Sequence, residues 1–411
     1  MIEHIMWQAP YVDGAHSLIR GDSQQVLPLL TGSDCYDLAY LDPPYATGSQ
    51  KLTYSDSLTV TQWCNLFSNI VENTVKLLDP KRACPVLVSI DDNRIIQART
   101  ILDKAIPGGF IATIICQGSV RPGAQLVSVG HEYLLIYMTR AKKYRRSGVR
   151  WRVTKPGAGT VLKKAEHVWK QHWLQPDTAS QTMREWYREH RSEPEIWRLR
   201  EYKWFTLEGR LYRRGPINGP RGTKHYQYPI TAPTGKIWMP DEWGWRMPAA
   251  TWNTWAGRDE TDFGPDDTLS PARRIYLDEH CLETPTSLDI ARRSAATRKL
   301  SIQLGDSGFS CPKNPELLAK WIHITTDGRT GLRVLDPFAG AATIIEALEQ
   351  LNQQDGGSRV ATCIQIDERD LDTANKVSIV DSATLPRALR VCAKYGSGLN
   401  VGELVETDPA H

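Results

Sequence analysis

Tyr36-Asp37-Leu38-Ala39-Tyr40-Leu41-Asp42-Pro43-Pro44-Tyr45 is the stretch on which the fold turns. A short apolar run closed by an acid and two prolines predicts a buried strand from Tyr36 to Leu41 that stops abruptly. Proline has no amide hydrogen and a fixed φ, so a pair of them ends the strand and holds a rigid, non-helical loop. Working outward, His16 to Arg20 reads as a second strand, ending at Gly21-Asp22. On the other side a helix is predicted from Thr61 to Leu78, with Trp63, Leu66, Phe67, Ile70 and Leu77 at helical spacing. Further strands follow at Pro85 to Ile90, running into Asp91-Asp92-Asn93, then at Phe110 to Cys116 and Glu132 to Met138.

The alternation of strand and helix stops near residue 140 and resumes near 300. Pro315 to Ile324 reads as helix, and Leu332 to Leu335 as a strand ending at Asp336-Pro337-Phe338-Ala339-Gly340. A helix from about Ala342 to Leu351 and a strand from Val360 to Ile366, ending at Asp367-Glu368, complete the pattern. Strands alternating with helices on both flanks predict an α/β fold with one doubly wound, Rossmann-like sheet, split by an insertion. The expected divisions are residues 1–140, an inserted region 141–300, and 301–411. Ligands of such sheets bind beyond the carboxyl ends of the strands. Asp22, Asp42, Asp91, Asp336 and Asp367 each follow an apolar run. One such acid is an ordinary turn former; five together point to a site.

Composition narrows the class. With 41% hydrophobic and 24% charged residues, the 411-residue chain is globular. It has no apolar run long enough to span a bilayer and no secretory leader, so no membrane role is expected. Eight scattered cysteines without a C-x-x-C pair fit reduced thiols in a cytoplasm better than a disulfide frame or a zinc site, and no metal is expected. The net charge of +3 is mild, but its distribution is not. Residues 142 to 164 include Arg145 and Arg146 among nine basic residues and no acid. A second basic loop holds Arg213, Arg214, Arg221 and Lys224 between glycines and prolines. Eleven of the fourteen tryptophans fall between Trp151 and Trp255. The insertion therefore reads as a separate module with a phosphate-binding surface, some of its tryptophans forming its own core.

Two motifs carry the chemistry. The turn after Leu41 fixes the Asp42 carboxylate and a backbone carbonyl, with Tyr45 alongside as a flat surface. Those parts grip a planar exocyclic amine: hydrogen bonds from its N–H groups favour a more tetrahedral nitrogen able to attack an electrophilic methyl group. Asp336-Pro337-Phe338-Ala339-Gly340, between a strand and a helix, makes a nucleotide-type cradle, and Asp367 supplies an acid of the kind that holds ribose hydroxyls. Too few glycines are present for a dinucleotide fingerprint, which argues against NAD. No cysteine stands in the Pro-Cys order that a cytosine-C5 enzyme needs: Cys84 and Cys311 precede their prolines.

These residues resemble the β group of DNA amino-methyltransferases, in which D-P-P-Y precedes F-x-G-x-G and a target-recognition region lies between. Within that group the chain looks most like the modification subunits of type III restriction systems. Supporting stretches are Gly21-Asp22, Tyr54-Ser55-Asp56, Ser89 to Asn93, His131-Glu132-Tyr133, Tyr228-Pro229 through Trp238, and Pro312-Lys313-Asn314-Pro315. The resemblance implies a circularly permuted S-adenosylmethionine-dependent methyltransferase sheet acting on duplex DNA by base flipping, adenine N6 being the target. It implies that Asp42, Pro43, Pro44 and Tyr45 grip the base. Phe338, Ala339 and Gly340 would line the donor's methionine end beside Asp336, with Asp367 at its ribose, Asp22 at its adenine and Lys313 close by. Arg145, Arg146, Arg213, Arg214, Arg221 and Lys224 are the candidate DNA contacts, on charge alone. A homodimer and a bacterial, archaeal or phage cytoplasmic setting are likewise implied.

Two departures stand out. The family writes its cofactor turn F-A-G-S-G-T-T; here Ala342 replaces the second glycine, putting a methyl group where the helix begins. The chain is also shorter than the usual type III subunit, so a solitary or phage-type enzyme without a nuclease-binding surface is expected. Three rivals remain open. Cytosine N4 is the nearest, although Asp at position 42 leans toward adenine. A non-catalytic DNA-reading subunit of a restriction or defence complex is another, and methylation of RNA or a protein amide the third.

Overall fold

The apolar runs pair into one large mixed sheet. The computed structural model describes residues 2–30, 35–45, 58–118, 126–289, 313–367 and 378–407; the expectations on Tyr54-Ser55-Asp56 and Pro312 fall outside them. The strands are β1 (Ile2–Trp7), β2 (His16–Arg20), β3 (Leu38–Leu41), β4 (Pro85–Ile90), β5 (Phe110–Gln117), β6 (His131–Met138), β7 (Leu288–Asp289), β8 (Arg333–Asp336), β9 (Val360–Gln365) and β10 (Leu399–Thr407). Among the described residues they stand in the order β1-β10-β2-β9-β8-β3-β4-β6-β5-β7. From β10 to β4 neighbouring strands run parallel, while β6 lies antiparallel to β4 and β5. Strands from the two ends of the chain interleave, β2 lying between β9 and β10.

All four residues of β3 and all six of β4 are buried, as central parallel strands covered on both faces require. Ile19, Ala39, Leu41, Val86, Val88, Leu335 and Ile364 join a core with residues of helices α1 (Ser23–Leu29), α2 (Val60–Leu77) and α3 (Ile95–Ala105). Their alternates Leu18, Leu38, Tyr40, Leu87, Val334 and Cys363 point to the opposite face and are equally buried. A second helical layer answers them. After the short helix α4 (Ala141–Arg146), it consists of α5 (Pro315–Thr325), α6 (Thr343–Asp355) and α7 (Leu385–Tyr395), packed in sequence against one another.

β8 and β3 are parallel neighbours, yet the chain leaves β8 towards β9 on one side and β3 towards β4 on the other. The strand order therefore reverses between them. At such a reversal the loops diverge and leave a crevice beyond the carboxyl ends.

The chain divides into two units, residues 1–151 with 286–411, and residues 152–285. α4 thus belongs with the sheet. The smaller unit has a four-stranded antiparallel sheet ordered Thr261–Asp262, Ala272–Tyr276, Leu211–Pro216 and Trp204–Phe205. It has two cores: Trp169 and Trp186 are buried in one, Trp245 and Trp252 in the other. Its first and last strands, Val153–Thr154 and Leu282–Glu283, pair antiparallel and bring its ends together.

Candidate active site

Asp42 and Asp336 occupy the crevice at the strand reversal, each at the carboxyl end of its strand. Both are hemmed in by protein, and burial pushes both carboxyls above the ordinary range, Asp336 to about 8. Beside them the loop at Pro43-Pro44 is pinned from α2. That helix opens with a reciprocal cap between Thr59 and Gln62, which fixes where it begins. One turn in, the fully buried Trp63 donates its indole N–H to the Pro44 carbonyl at 2.6 Å and stacks on Phe67. The rigid turn expected from two prolines thus has a specific anchor.

Tyr45 closes over this corner. Its hydroxyl donates to Asp42 Oδ1 at 3.0 Å and approaches Glu132 Oε2 at 3.5 Å. Lys313, 6% exposed, enters just before α5. Its ammonium lies 2.9 Å from Glu132 Oε2 and 3.2 Å from Asp42 Oδ1, also donates to the Tyr45 hydroxyl, and sits 4.5 Å from the centre of the Tyr45 ring. Lys313 therefore faces the Asp42–Tyr45 side of the crevice as directly as the side of the F-x-G turn. What remains is a cleft of about 20 Å³, lined by Tyr40, Asp42, Lys313, Asp336, Phe338 and Gly340, among others.

The F-x-G turn is stitched to its neighbours by backbone and side chain. The Ala339 amide bonds the Ile364 carbonyl at 3.0 Å, and the Gly340 amide bonds Gln365 Oε1 at 2.7 Å. The Ser23 hydroxyl bonds the Pro337 carbonyl at 2.6 Å. Gly340 and Ala342 both take left-handed φ, +51° and +52°, and α6 starts at Thr343 without a side-chain cap among the described residues. From the other side α7 grips the turn. Buried Arg387 donates to the Ala341 carbonyl, to Thr343 Oγ1 and to Glu346 Oε2, while Thr384 bonds the Gly340 carbonyl.

The remaining acids of this edge have local partners. Asp367, one strand over, is buried and receives Arg20 at 3.1 Å. Asp22 caps α1, accepting the Gln24 amide at 2.8 Å. Asp91 accepts from both the amide and the side chain of Asn93, and His131 bonds Tyr133; both close strand ends.

A sequence model of the DNA methylase family matches residues 36–376, most of the chain. The chain belongs to the DNA methylase family. It is similar to the type III restriction-modification StyLTI Mod subunit of Salmonella typhimurium, with 26% identity over 92% of this chain and 57% of that protein. It is similar also to the EcoP15I Mod subunit of Escherichia coli, at 23% over 88% of this chain and 60% of that one. The EcoPI Mod subunit of Escherichia phage P1 matches at 24% over 88% and 59%. The chain thus spans less than two thirds of the length of these relatives.

Within this DNA methylase chain the candidate residues do not all converge. Asp42, Pro43, Pro44, Tyr45, Lys313, Asp336, Phe338, Ala339 and Gly340 come together, and Asp22 and Asp367 end adjacent strands on the same edge. Arg145 and Arg146 are exposed on α4, where Arg145 also holds the Phe110 carbonyl at 2.6 Å. Arg221 and Lys224 are exposed in the smaller unit. Arg214 differs: its guanidinium is engaged by buried Asp262 and the Ser270 carbonyl, so it serves that unit's own structure. Arg213 sits beside the Tyr202 ring. Sequence reasoning assigned Glu132 no role. Its signal is a carboxylate in the otherwise apolar strand His131–Met138, whose buried charge demands a cation.

Proposed function

We propose that this chain transfers the methyl group of S-adenosylmethionine to N6 of adenine in duplex DNA. The observation that carries the reading is the meeting of the two motifs at the strand reversal, with Asp42 and Asp336 ending adjacent parallel strands.

The fold edge suits such a donor. Buried Asp367 offers a carboxylate for a ribose diol, Phe338 an apolar surface, and the uncapped start of α6 open backbone amides. Asp22 and Asp367 place carboxylates on an edge that has to accept a cationic donor. When bound, the donor supplies an electrophilic methyl group. The chain's part is to hold the nucleophile. Pro44's carbonyl already accepts from Trp63, so the target amine takes Pro43's carbonyl and the Asp42 carboxylate as its two acceptors. Tyr45 supports the face of the extruded base, a contact worth about 1–3 kcal/mol. Nitrogen attacks in line, and the resulting ammonium is acidic enough to lose its proton without a strong base. Positioning and preset charge supply the catalysis.

The smaller unit takes the duplex, with Arg221 and Lys224 as phosphate contacts. Similarity to Mod subunits supports work within a restriction or defence system. The homodimer implied by that resemblance is tested by sedimentation of the purified chain. The chemistry is tested by incubating unmethylated DNA with donor and identifying the nucleosides by mass spectrometry. N6-methyladenine that disappears in Asp42→Ala is expected. N4-methylcytosine would overturn the base, and no product with retained DNA binding would favour a non-catalytic reader.

A further inference from the structure

Lys313 occupies the spot where the proposed chemistry needs an amine. Its ammonium lies within hydrogen-bonding reach of Asp42 and at the hydroxyl end of Tyr45, 4.5 Å from the ring centre, beside the two groups assigned to the base. A cleft of about 20 Å³ holds roughly one water, far less than a purine. A base needs more room than that, and among the described residues the lysine, on its long rotatable stem, is a group able to yield it. Glu132 gives it somewhere to go. It already binds the ammonium at 2.9 Å, closer than Asp42 at 3.2 Å, from β6 rather than from the loop that carries Asp42.

We propose that Lys313 is a placeholder for the target amine and that Glu132 is the anchor that draws it off Asp42 when the base arrives, making the Glu132–Lys313 pair a positioning device for methyl transfer. The idea rests on the function proposed above. It also fixes the charge of Asp42. Among the described residues, the groups facing that carboxyl are Tyr40 on its own strand, Tyr45 on its loop, Glu132 on β6, Lys313 before α5 and Asp336 at the end of β8. Asp91, after β4, feels the same ammonium. Lys313 is the one cation in that set. Without it, Asp42 would share a poorly hydrated corner with other carboxyls and hold its proton, losing its strength as an acceptor. Without Glu132, Lys313 would cling to Asp42 and keep it ionised but blocked.

The two substitutions consequently act in opposite directions. Tritiated methyl incorporation into an unmethylated, amplified DNA pool is measured against pH for wild type, Lys313→Met, Glu132→Gln and the double variant. The acid limb is expected to move up by about one pH unit in Lys313→Met and down in Glu132→Gln. The double variant should return towards wild type, and Glu132→Gln should also raise KM for DNA. A second readout needs neither donor nor DNA: in an Asp336→Asn background, which removes the titration near 8, the pH at which the unfolding midpoint stops falling should move with the limb. It also shows whether each variant folds. Limbs that stay put, or move the same way in both single variants, overturn the pairing. A limb that vanishes in Asp336→Asn assigns the titration to Asp336 and overturns it too. Failure of the wild type to incorporate any methyl group sinks the proposed function instead, and that result is separate from the others.

Discussion

At Ala342 the backbone has φ +52° in a position with no exposed surface. A left-handed conformation costs a non-glycine residue about 1–2 kcal/mol. Removing the buried methyl group would cost about 0.8 kcal/mol, and glycine's extra freedom in the unfolded chain about 0.5–1 kcal/mol. The terms nearly cancel, so we expect Ala342→Gly to change stability by less than about 1 kcal/mol in a urea titration. Ala342→Val, bulkier and stiff at χ1, should cost about 2 kcal/mol or more. Calorimetry should show tighter donor binding in the glycine variant if the methyl group crowds the cradle. Asp336 lends itself to a test of sign. Its carboxyl is raised to about 8 by burial, with the Asp42 charge adding to it. An unfolded aspartate titrates near pH 4, so between about 4 and 8 the folded state binds the extra proton and loses stability as pH rises. Asp336→Asn has no such titration. The melting temperature of the wild type should therefore fall relative to this variant from pH 5 to 8, with the gap levelling off above 8. A constant gap would refute the shift.

The elements around the crevice are held by a few contacts at their ends. α2 positions the D-P-P-Y loop through one indole hydrogen bond. Trp63→Phe keeps the stacking surface but leaves the Pro44 carbonyl without that donor. We expect kcat to drop roughly tenfold or more as the loop shifts, with donor binding unchanged by calorimetry. α7 steadies the F-x-G turn through Arg387, whose ion pair with Glu346 is almost wholly buried, at 3% and 1% side-chain exposure. Breaking one side of such a pair costs about 3–5 kcal/mol because the surviving charge stays buried, whereas replacing both sides is far milder. Arg387→Met should accordingly be much less stable in urea than the double variant Arg387→Met with Glu346→Leu.

On the scale of the whole molecule, the smaller unit has its own cores and begins and ends in a paired set of strands. Residues 152–285 expressed alone should therefore melt cooperatively by circular dichroism. In the full chain, Arg221→Ala with Lys224→Ala should weaken DNA binding and lower its dependence on log salt by about two, one for each lost phosphate contact. An unchanged salt slope would remove both from the interface.

Much of this architecture is local and therefore legible. Apolar runs, helical spacing and Pro or Gly stops locate β2, β4 and α2 to within a residue or so, and the acids at strand ends mark the edge of the candidate site. The D-P-P-Y and F-x-G turns could be read because their chemistry lies in consecutive residues. Other roles depended on distant partners. Lys313 meets Glu132 across 181 positions and Tyr45 across 268, and no periodicity reports such a meeting. Charge alone makes Arg214 a candidate phosphate contact, whereas folding sets its guanidinium against Asp262, 48 residues away. β1 and β10 make an edge pair only because the two ends of the chain return to one sheet. Sequence by itself determined the central strands of the large sheet, their turns and the chemical groups at their ends, since those follow from neighbours along the chain. Only the tertiary structure decided which charges neutralise each other, because a buried charge is satisfied by whatever folding brings within about 3 Å of it.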